Sequence, residues 1–481
     1  MYRKSVFEQA KIEMPFGVEL DPENRWVKLA GIMPWEKIEE KYSQKFESAS
    51  GNEAYSSRLA FGALYIQGRL KLTDEETVNQ IQETPSMQYF CGFEWYTVLK
   101  PFDSSLMVHF RKRLTAELIQ AIAEEAFASE TKKAIEKDKD NDDENGSTGA
   151  SGPNKGKLFL DATCCPSDIH FPTDVGLLNH ARELTEVIID GLYEQICKLL
   201  GEKPRTYRIV ARQAFMAYVK LRKRSYAQIR FAIKQQLAYV RRNLETIAEL
   251  IALGANMELL GSVFEEKLAT ITKVYSQQKE MYDEQKNSIE ERIVSIEQPH
   301  LRPIVRGKSN APVEFGAKVA TVHIGGFSFV VHMSYDNFSE AKYLKASVEK
   351  FKRMFGFYPA TVVGDKAYMT NDNRNYCKSL GIRLSAPKKG RKSETEKAEE
   401  KKQLYKDNCE RNAVEGDYGT VKRKYGLDRM MTKLFDTTLT AISFGFFIKN
   451  MERVLRFFVG LFSHILVCFG RACPPRLKCF G

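Results

Sequence analysis

Three acidic side chains stand where a metal-assisted reaction would need them. Asp161 follows the apolar run LFL, and Asp365 follows TVVG. Both runs read as short buried strands ending in an acid. A carboxylate just past a buried strand is held rigidly and faces the sheet edge, where the sites of open α/β sheets lie. If the two strands are neighbours, the pair could share divalent cations. Mg²⁺ takes oxygen ligands, and two ions about 4 Å apart can activate an attacking oxygen and stabilise a leaving one in phosphoryl transfer. The competing reading is that each Asp merely caps the turn after its strand. The third acid, Glu415, lies in CERNAVEGDYGTVKRKYGLDR. Spacings of four and seven residues put Arg411, Glu415 and Lys422 on one helix face. That face is either an ion-pair ladder or a ligand flanked by phosphate-binding bases. Gly416 and Gly419 each weaken a helix by roughly 1 kcal/mol against Ala, but they let DNA or another backbone come close.

Other chemistries find little support. RGKS at 306–309 ends like a phosphate loop, but Arg302 stands where the loop's first glycine is required, which excludes it. The seven histidines show no HExxH spacing and the nine cysteines no CxxC pair, so a structural zinc site is not expected. An odd cysteine count without a framework suits reduced thiols. A Cys164–His170 thiol nucleophile is the weaker reading beside an incidental buried cysteine.

The acids must be positioned by a fold that alternates strand and helix. KLFLDAT reads as a strand, and AKVATVHIGGFSFVVHMSYDN as two strands turning at Gly325-Gly326. SEAKYLKASVEKFKRMFG reads as a helix, YPATVVGDKAY as a strand, NDNRNYCKSLG as a short helix and IRLSAP as a further strand. This order predicts a mixed α/β sheet covered by helices. Before it, residues 1–112 read as short helices. Thr73 caps a helix opened by Asp74, Glu75 and Glu76, and Pro85 opens another that Cys91-Gly92 ends. Such helices suit either a helix-turn-helix DNA-binding module or a plain bundle. A connecting helix at 113–136 leads into 137–157, whose charge, Gly and Ser content predicts a flexible linker.

Between the first strand and the hairpin lies a helical insertion, about 180–300. Its segment 205–242 carries eleven bases, among them Arg222, Lys223 and Arg224, and no acid. Solvated helix faces usually mix both signs, so nucleic-acid contact is favoured there. The interleaved Tyr207, Tyr218, Tyr226 and Tyr239 could stack on bases or simply pack. EEKLATITKVYSQQKEMYDEQKNSIEERI reads as an exposed helix, suited to a coiled coil. The atypical apolar tail at 457–481 is too short and too interrupted for a membrane span.

At 481 residues the chain is long enough for two or three domains. A net charge of +11 favours a polyanionic partner, nucleic acid above all. With no apolar leader at MYRKSVFEQAK, the expected location is cytoplasmic.

The ordered motifs LTDEETVNQIQETPSMQYFCGF, LDATCCPSDIHFPTDVGLLNHARE, QPHLRPIVRGKSNAPVEFGAKV, VVGDKAY and RNAVEGDYGTVKRKYGL resemble a bacterial insertion-sequence transposase of the DDE type. The resemblance runs from about residue 10 to 455 and includes the Arg-x3-Glu-x6-Lys signature. It implies an RNase H-like mixed-sheet catalytic core at 158–456 with the basic insertion, behind an all-α DNA-binding domain at 1–112. It assigns Asp161, Asp365 and Glu415 to the triad that binds Mg²⁺ (or Mn²⁺), two ions in all, and Arg411 and Lys422 to transposon-end DNA. Some branches carry Tyr three residues before the Arg, where this chain has Asn408. Asp168, Asp174, Asp372 and Asp417 lie nearby but off the motif positions. The implied reaction is hydrolysis at element ends followed by strand transfer into target double-stranded DNA. A homodimer or larger synaptic assembly, associated with the nucleoid, is implied too. Two alternatives share these motifs: an inactive DNA-binding remnant, and a metal-dependent nuclease without strand transfer.

Overall fold

The computed structural model describes residues 19–46, 53–143, 153–305, 313–385 and 394–470. In chain order the helices α1 (Arg25–Ile32), α2 (Trp35–Ser43), α3 (Ser57–Leu70), α4 (Asp74–Glu83), α5 (Pro85–Phe90), α6 (Leu106–Arg113) and α7 (Ala116–Asp143) precede the first strand, β1 (Lys157–Pro166). Helices α8 (Asp174–Leu200), α9 (Arg208–Val219), α10 (Tyr226–Ala252) and α11 (Ser262–Asp283) follow. Then come β2 (Pro303–Val305), β3 (Val313–Ile324), β4 (Phe327–Ser334), α12 (Leu344–Phe355), β5 (Thr361–Val363), α13 (Asn371–Ser379), β6 (Arg383–Leu384), α14 (Glu394–Tyr425) and α15 (Phe435–Gly470). Two compact units result: one of Met1–Pro166, Ala317–Ser334 and Phe338–Gly481, the other of Ser167–Gly316 and Tyr335–Asn337.

The first unit is built on a mixed sheet in the order β4-β3-β1-β5-β6. β3 and β4 are antiparallel, while β5 is parallel to both β1 and β6. The hairpin turns at Gly325 and Gly326, whose φ angles of 55° and 81° suit a two-residue turn that only glycine enters cheaply. Helix α15 backs the sheet, and its Phe444 and Phe447 meet Phe61 of α3 at 4.9 and 5.2 Å between ring centres. Phe127 of α7 stacks on Phe327 of β4 at 5.8 Å and tilts against Phe447 at 5.3 Å. These rings are almost fully buried. Truncating one such Phe to Ala costs about 3–5 kcal/mol, so the N-terminal helices are welded to the sheet through α15. Arg69 of α3 pairs with Glu452 of α15 at 2.6 Å. The Thr73 cap forms as a full capping box with Glu76, and Pro85 opens α5 as expected.

The second unit is a helical bundle. Leu178 and Ala181 of α8, Val240 of α10, and Ile271 and Val274 of α11 form its seam. The seam continues through Ile188, Ile189, Leu192, Ile247 and Leu250. Asn243 of α10 donates to the Thr185 hydroxyl of α8 at 2.9 Å inside it. Helix α9 contributes only Ala211 to the buried set.

Three expectations change. β1 does not stop at its acid but runs through Asp161 to Pro166, because Ala162, Cys164 and Cys165 are themselves buried. α11 is not exposed all round; every third or fourth residue (Ile271, Val274, Gln278, Met281) is buried against the bundle. Helix α7 extends to Asp143, into the stretch that composition marks as linker; residues 144–152 of that stretch lie outside the described residues. RGKS at 306–309 and tail residues 471–481 lie outside them too, whereas α15 carries the tail's first part as helix to Gly470. No helix among the described residues is long and apolar enough to cross a membrane.

Candidate active site

Strand register brings the first two acids together. Parallel pairing sets Lys157 against Thr361, Leu158 against Val362 and Phe159 against Val363. Two residues beyond the last of these pairs stand Asp161, still within β1, and Asp365, just past the end of β5. The charge of Asp365 acts on the Asp161 carboxyl, so the two acids are neighbours. Each is oriented by a backbone N–H. Asp161 Oδ1 accepts from Ala162 N at 2.9 Å, and Asp365 Oδ1 accepts from Ala367 N at 2.8 Å. Asp365 therefore does cap the single 3₁₀ turn Lys366–Tyr368, but with one oxygen only. Gly364 precedes it because a Cβ there would sit 2.9 Å from the Tyr368 ring, which folds back beneath the acid.

Electrostatics mark this pair as costly. Burial, together with the charges of Glu340 and Asp365, pushes the Asp161 carboxyl up to about 6, against the opposing pull of Ala162 N–H and the Arg411 guanidinium. Tyr368, almost fully buried, has its phenol pushed up by burial and by Glu340, Asp161 and Asp365. Glu340 thus joins the site from the 3₁₀ turn Glu340–Tyr343, where Lys318 holds it at 3.0 Å. Nothing in DNFSEAKY announces this residue, since it arrives through a contact between two turns distant in sequence.

Helix α14 supplies the third element and is pinned at four places. Asp407, buried, takes both guanidinium nitrogens of Arg383 (2.7 and 2.8 Å) and the Ser385 hydroxyl (2.5 Å). Glu410 pairs with Lys157 of β1 at 3.1 Å. Tyr418 shares a 2.5 Å hydrogen bond with Thr321 of β3, and Asp417 accepts from Lys449 of α15 at 2.6 Å. The helix therefore crosses the sheet from β6 over β1 to β3, as expected for one continuous helix bearing Arg411, Glu415 and Lys422. Arg411 acts on Asp161 through space and has no ion pair among the described residues. Glu415 is exposed and is not among the groups that shift Asp161. The structure thus gathers Asp161, Asp365 and Arg411, and leaves Glu415 on the rim of the same helix. Among the described residues no three His, Cys, Asp or Glu side chains are close enough to hold a metal ion.

Asp417 lies two residues past Glu415 in a buried polar knot. Lys449 Nζ donates to the Gly326 carbonyl (2.7 Å), to Ser328 Oγ (2.8 Å) and to Asp417. Ser328 Oγ is 2.8 Å from His323 Nδ1, and His323 Nε2 is 2.9 Å from Thr321 Oγ1. Burial pushes Lys449 down to about 8 despite Asp417, and pushes His323 down so that it stays neutral near pH 7. Burial works to raise Asp417, but the His323 hydrogen bond and the Lys449 charge outweigh it and hold the carboxyl below its ordinary value.

In the second unit the bases of 205–242 divide into two sets. Arg208 forks onto Asp190 at 2.7 and 3.0 Å. Arg242 covers Tyr207 and Tyr239, Arg230 covers Tyr226 and Tyr282, and Arg224 covers Tyr218 at 4.8 Å while donating to the Val219 carbonyl. The interleaved tyrosines thus hold arginines. Arg212, Lys220, Arg222, Lys223 and Lys234 are exposed and have no side-chain partner among the described residues.

Known proteins match at both ends of the chain. A family model described as a transposase DDE domain matches residues 362–452, the stretch holding Asp365, Arg411, Glu415 and Lys422. A second, described as "Transposase domain (DUF772)", matches residues 16–113. "Uncharacterized protein ORF8 in nfe locus" from Rhizobium meliloti is 28% identical over 215 residues, 44% of this chain and 89% of that protein. No solved structure matches. A transposase model thus matches at each end of the chain, the DUF772 domain first and the DDE domain after it.

Proposed function

We propose that this protein is a DDE transposase that hydrolyses the phosphodiester bond at an element end and transfers the freed 3′-hydroxyl into target DNA. Asp161, Asp365 and Glu415 are its metal ligands. The observation that carries the reading is that the ends of the paired strands β1 and β5 bring Asp365 near Asp161, with the Arg411 charge acting on the same carboxyl. The two aspartates fit a hard cation, and Glu415 would complete the set by moving in from the rim. The donors are all oxygen, both aspartates are half-buried while Glu415 is exposed, and Oδ2 of each Asp accepts no hydrogen bond among the described residues. Bound there, two Mg²⁺ (or Mn²⁺) ions supply Lewis acidity to the reacting phosphate. The N–H groups of Ala162 and Ala367 fix the two carboxylates beforehand, so little reorganisation is needed when the site fills. Arg411, which has no direct ion pair among the described residues, is available for a DNA phosphate. Lys422, on the same helix edge, extends that contact.

The sheet supports an RNase H-like core: a central β1 borders the β3–β4 hairpin on one side and the parallel β5 and β6 on the other. Gly416 supports DNA approach beside Glu415, since a Cβ there would meet nothing within 4 Å and internal packing does not require glycine. We assign residues 1–112 to DNA binding and 158–456 to catalysis. The bases at 212–223, Arg222 and Lys223 foremost and Arg224 behind them, are assigned to phosphate contact. Two element ends must be held at once, which calls for a homodimer or larger assembly acting at the nucleoid.

The test is one incubation of protein, labelled element-end duplex, plasmid target and Mg²⁺. A joined product, absent with Asp365→Asn, supports the transposase. Cleavage without joining favours a nuclease, and binding without cleavage favours an inactive remnant.

A further inference from the structure

The buried knot around Asp417 and Lys449 plays no part in the reaction described above, yet it grips α14 next to Glu415. At roughly 100° per residue, Val414, Tyr418, Val421 and Tyr425 form the buried stripe of α14. Arg411, Glu415 and Lys422 run along one edge of that stripe, and Asp417 lies along the opposite edge. Tyr418, in the stripe itself, is tied to Thr321 of β3. Asp407 and Glu410 hold the earlier turns of α14, but at the level of Glu415 a helix held only through its stripe is free to roll about its axis. Fastening the far edge prevents this, because Asp417 is bonded to Lys449, which is itself fixed to Gly326 and Ser328 of the hairpin. Asn450, the next residue on α15, locks the same strand by exchanging two hydrogen bonds with the Ser328 backbone (2.9 and 2.8 Å).

We infer that Asp417 and Lys449 are positioning residues which set the roll of α14, and hence where Glu415 and Arg411 point relative to Asp161 and Asp365. A roll of about 20° at a side-chain radius of about 5–6 Å displaces an edge residue by about 2 Å, enough to take a carboxylate out of a cation's coordination sphere. A purely structural ion pair would matter only through the stability of the fold. Replacing both members with apolar residues of similar volume would then restore everything, since buried pairs are often replaced that way without loss. A clamp is not restored by that exchange, because apolar side chains do not hold an angle.

The inference rests on the reading that Glu415 and the two aspartates hold the metal, so the experiment keeps the two apart. Mn²⁺ binding to the full-length protein is measured by titration calorimetry, and the thermal midpoint is measured beside it, for wild type, Asp417→Asn, the double variant Asp417→Leu with Lys449→Met, and Asp365→Asn. Asp417→Asn keeps the side-chain shape, and the expected result is affinity weakened about 10- to 100-fold, as for other residues that orient ligands. The double variant is expected to regain the wild-type thermal midpoint while its affinity stays weak. A double variant that binds Mn²⁺ as tightly as wild type overturns the inference. Asp365→Asn binding as tightly as wild type overturns the metal reading, and the inference with it.

Discussion

The Asp161 carboxyl, pushed up to about 6 by burial and by the acids facing it, implies a folding cost that can be measured. An unfolded Asp titrates near 4, so the shift is about two units, and at about 1.4 kcal/mol per unit the ceiling is about 3 kcal/mol. Since the folded value lies above the unfolded one, the fold prefers the protonated acid. Its contribution is fully present below about pH 4 and is lost as pH rises through about 6. Asp161→Asn fixes a neutral side chain that still accepts the Ala162 N–H. In the presence of a chelator the variant should therefore be more stable than wild type by up to about 3 kcal/mol at pH 7.5. That gain should fall to roughly half by pH 5. Urea unfolding at the two pH values reads both numbers. Adding Mg²⁺ should then stabilise wild type and leave the Asn variant nearly unmoved. An Asn variant less stable than wild type at pH 7.5, or a gain that ignores pH, would refute the claim that the site strains its own carboxylate.

Two further outcomes follow from exposed features. Gly416→Ala, on a helix with open space at that position, should raise stability by roughly 1 kcal/mol, as Ala for Gly does in a helix. Its affinity for element-end DNA should nonetheless drop, and unchanged affinity would show that DNA does not pass there. Neutralising Arg222 and Lys223 together should flatten the slope of log K against log salt by about 2, one unit per lost phosphate contact. Arg224→Gln should flatten it less, because that guanidinium is held over Tyr218. Equal effects from all three would contradict the division of the bases into free and engaged sets.

Part of the candidate site is legible in the sequence, for reasons that are local. Two apolar runs each ending in an acid identify Asp161 and Asp365, and a 3.6-residue period places Arg411, Glu415 and Lys422 on one edge of α14. Register is not local: only the pairing that starts at Lys157 and Thr361 brings the two acids near each other. An acid usually stops a buried run, whereas here Asp161 sits inside β1, which continues to Pro166. Glu340 and Lys449 gave no sign at all, since each reaches its partner through contacts between elements far apart in sequence. The linker composition at 137–157 was equally misleading for its first residues, where α7 continues to Asp143. A charged helix end and a disordered stretch have the same composition.

The central claim is that Asp161, Asp365 and Glu415 act together on one phosphodiester. Its most direct test is the single-turnover rate of cleavage of a labelled element-end duplex in Mg²⁺, for wild type and for Asp161→Asn, Asp365→Asn and Glu415→Gln. Ligands of one site act as a unit, so each variant alone should lose at least about a thousandfold, and any pair should lose little more than one. A Glu415→Gln protein that cleaves at the wild-type rate would remove α14 from the chemistry. An Asp365→Asn protein that does so would remove the site itself.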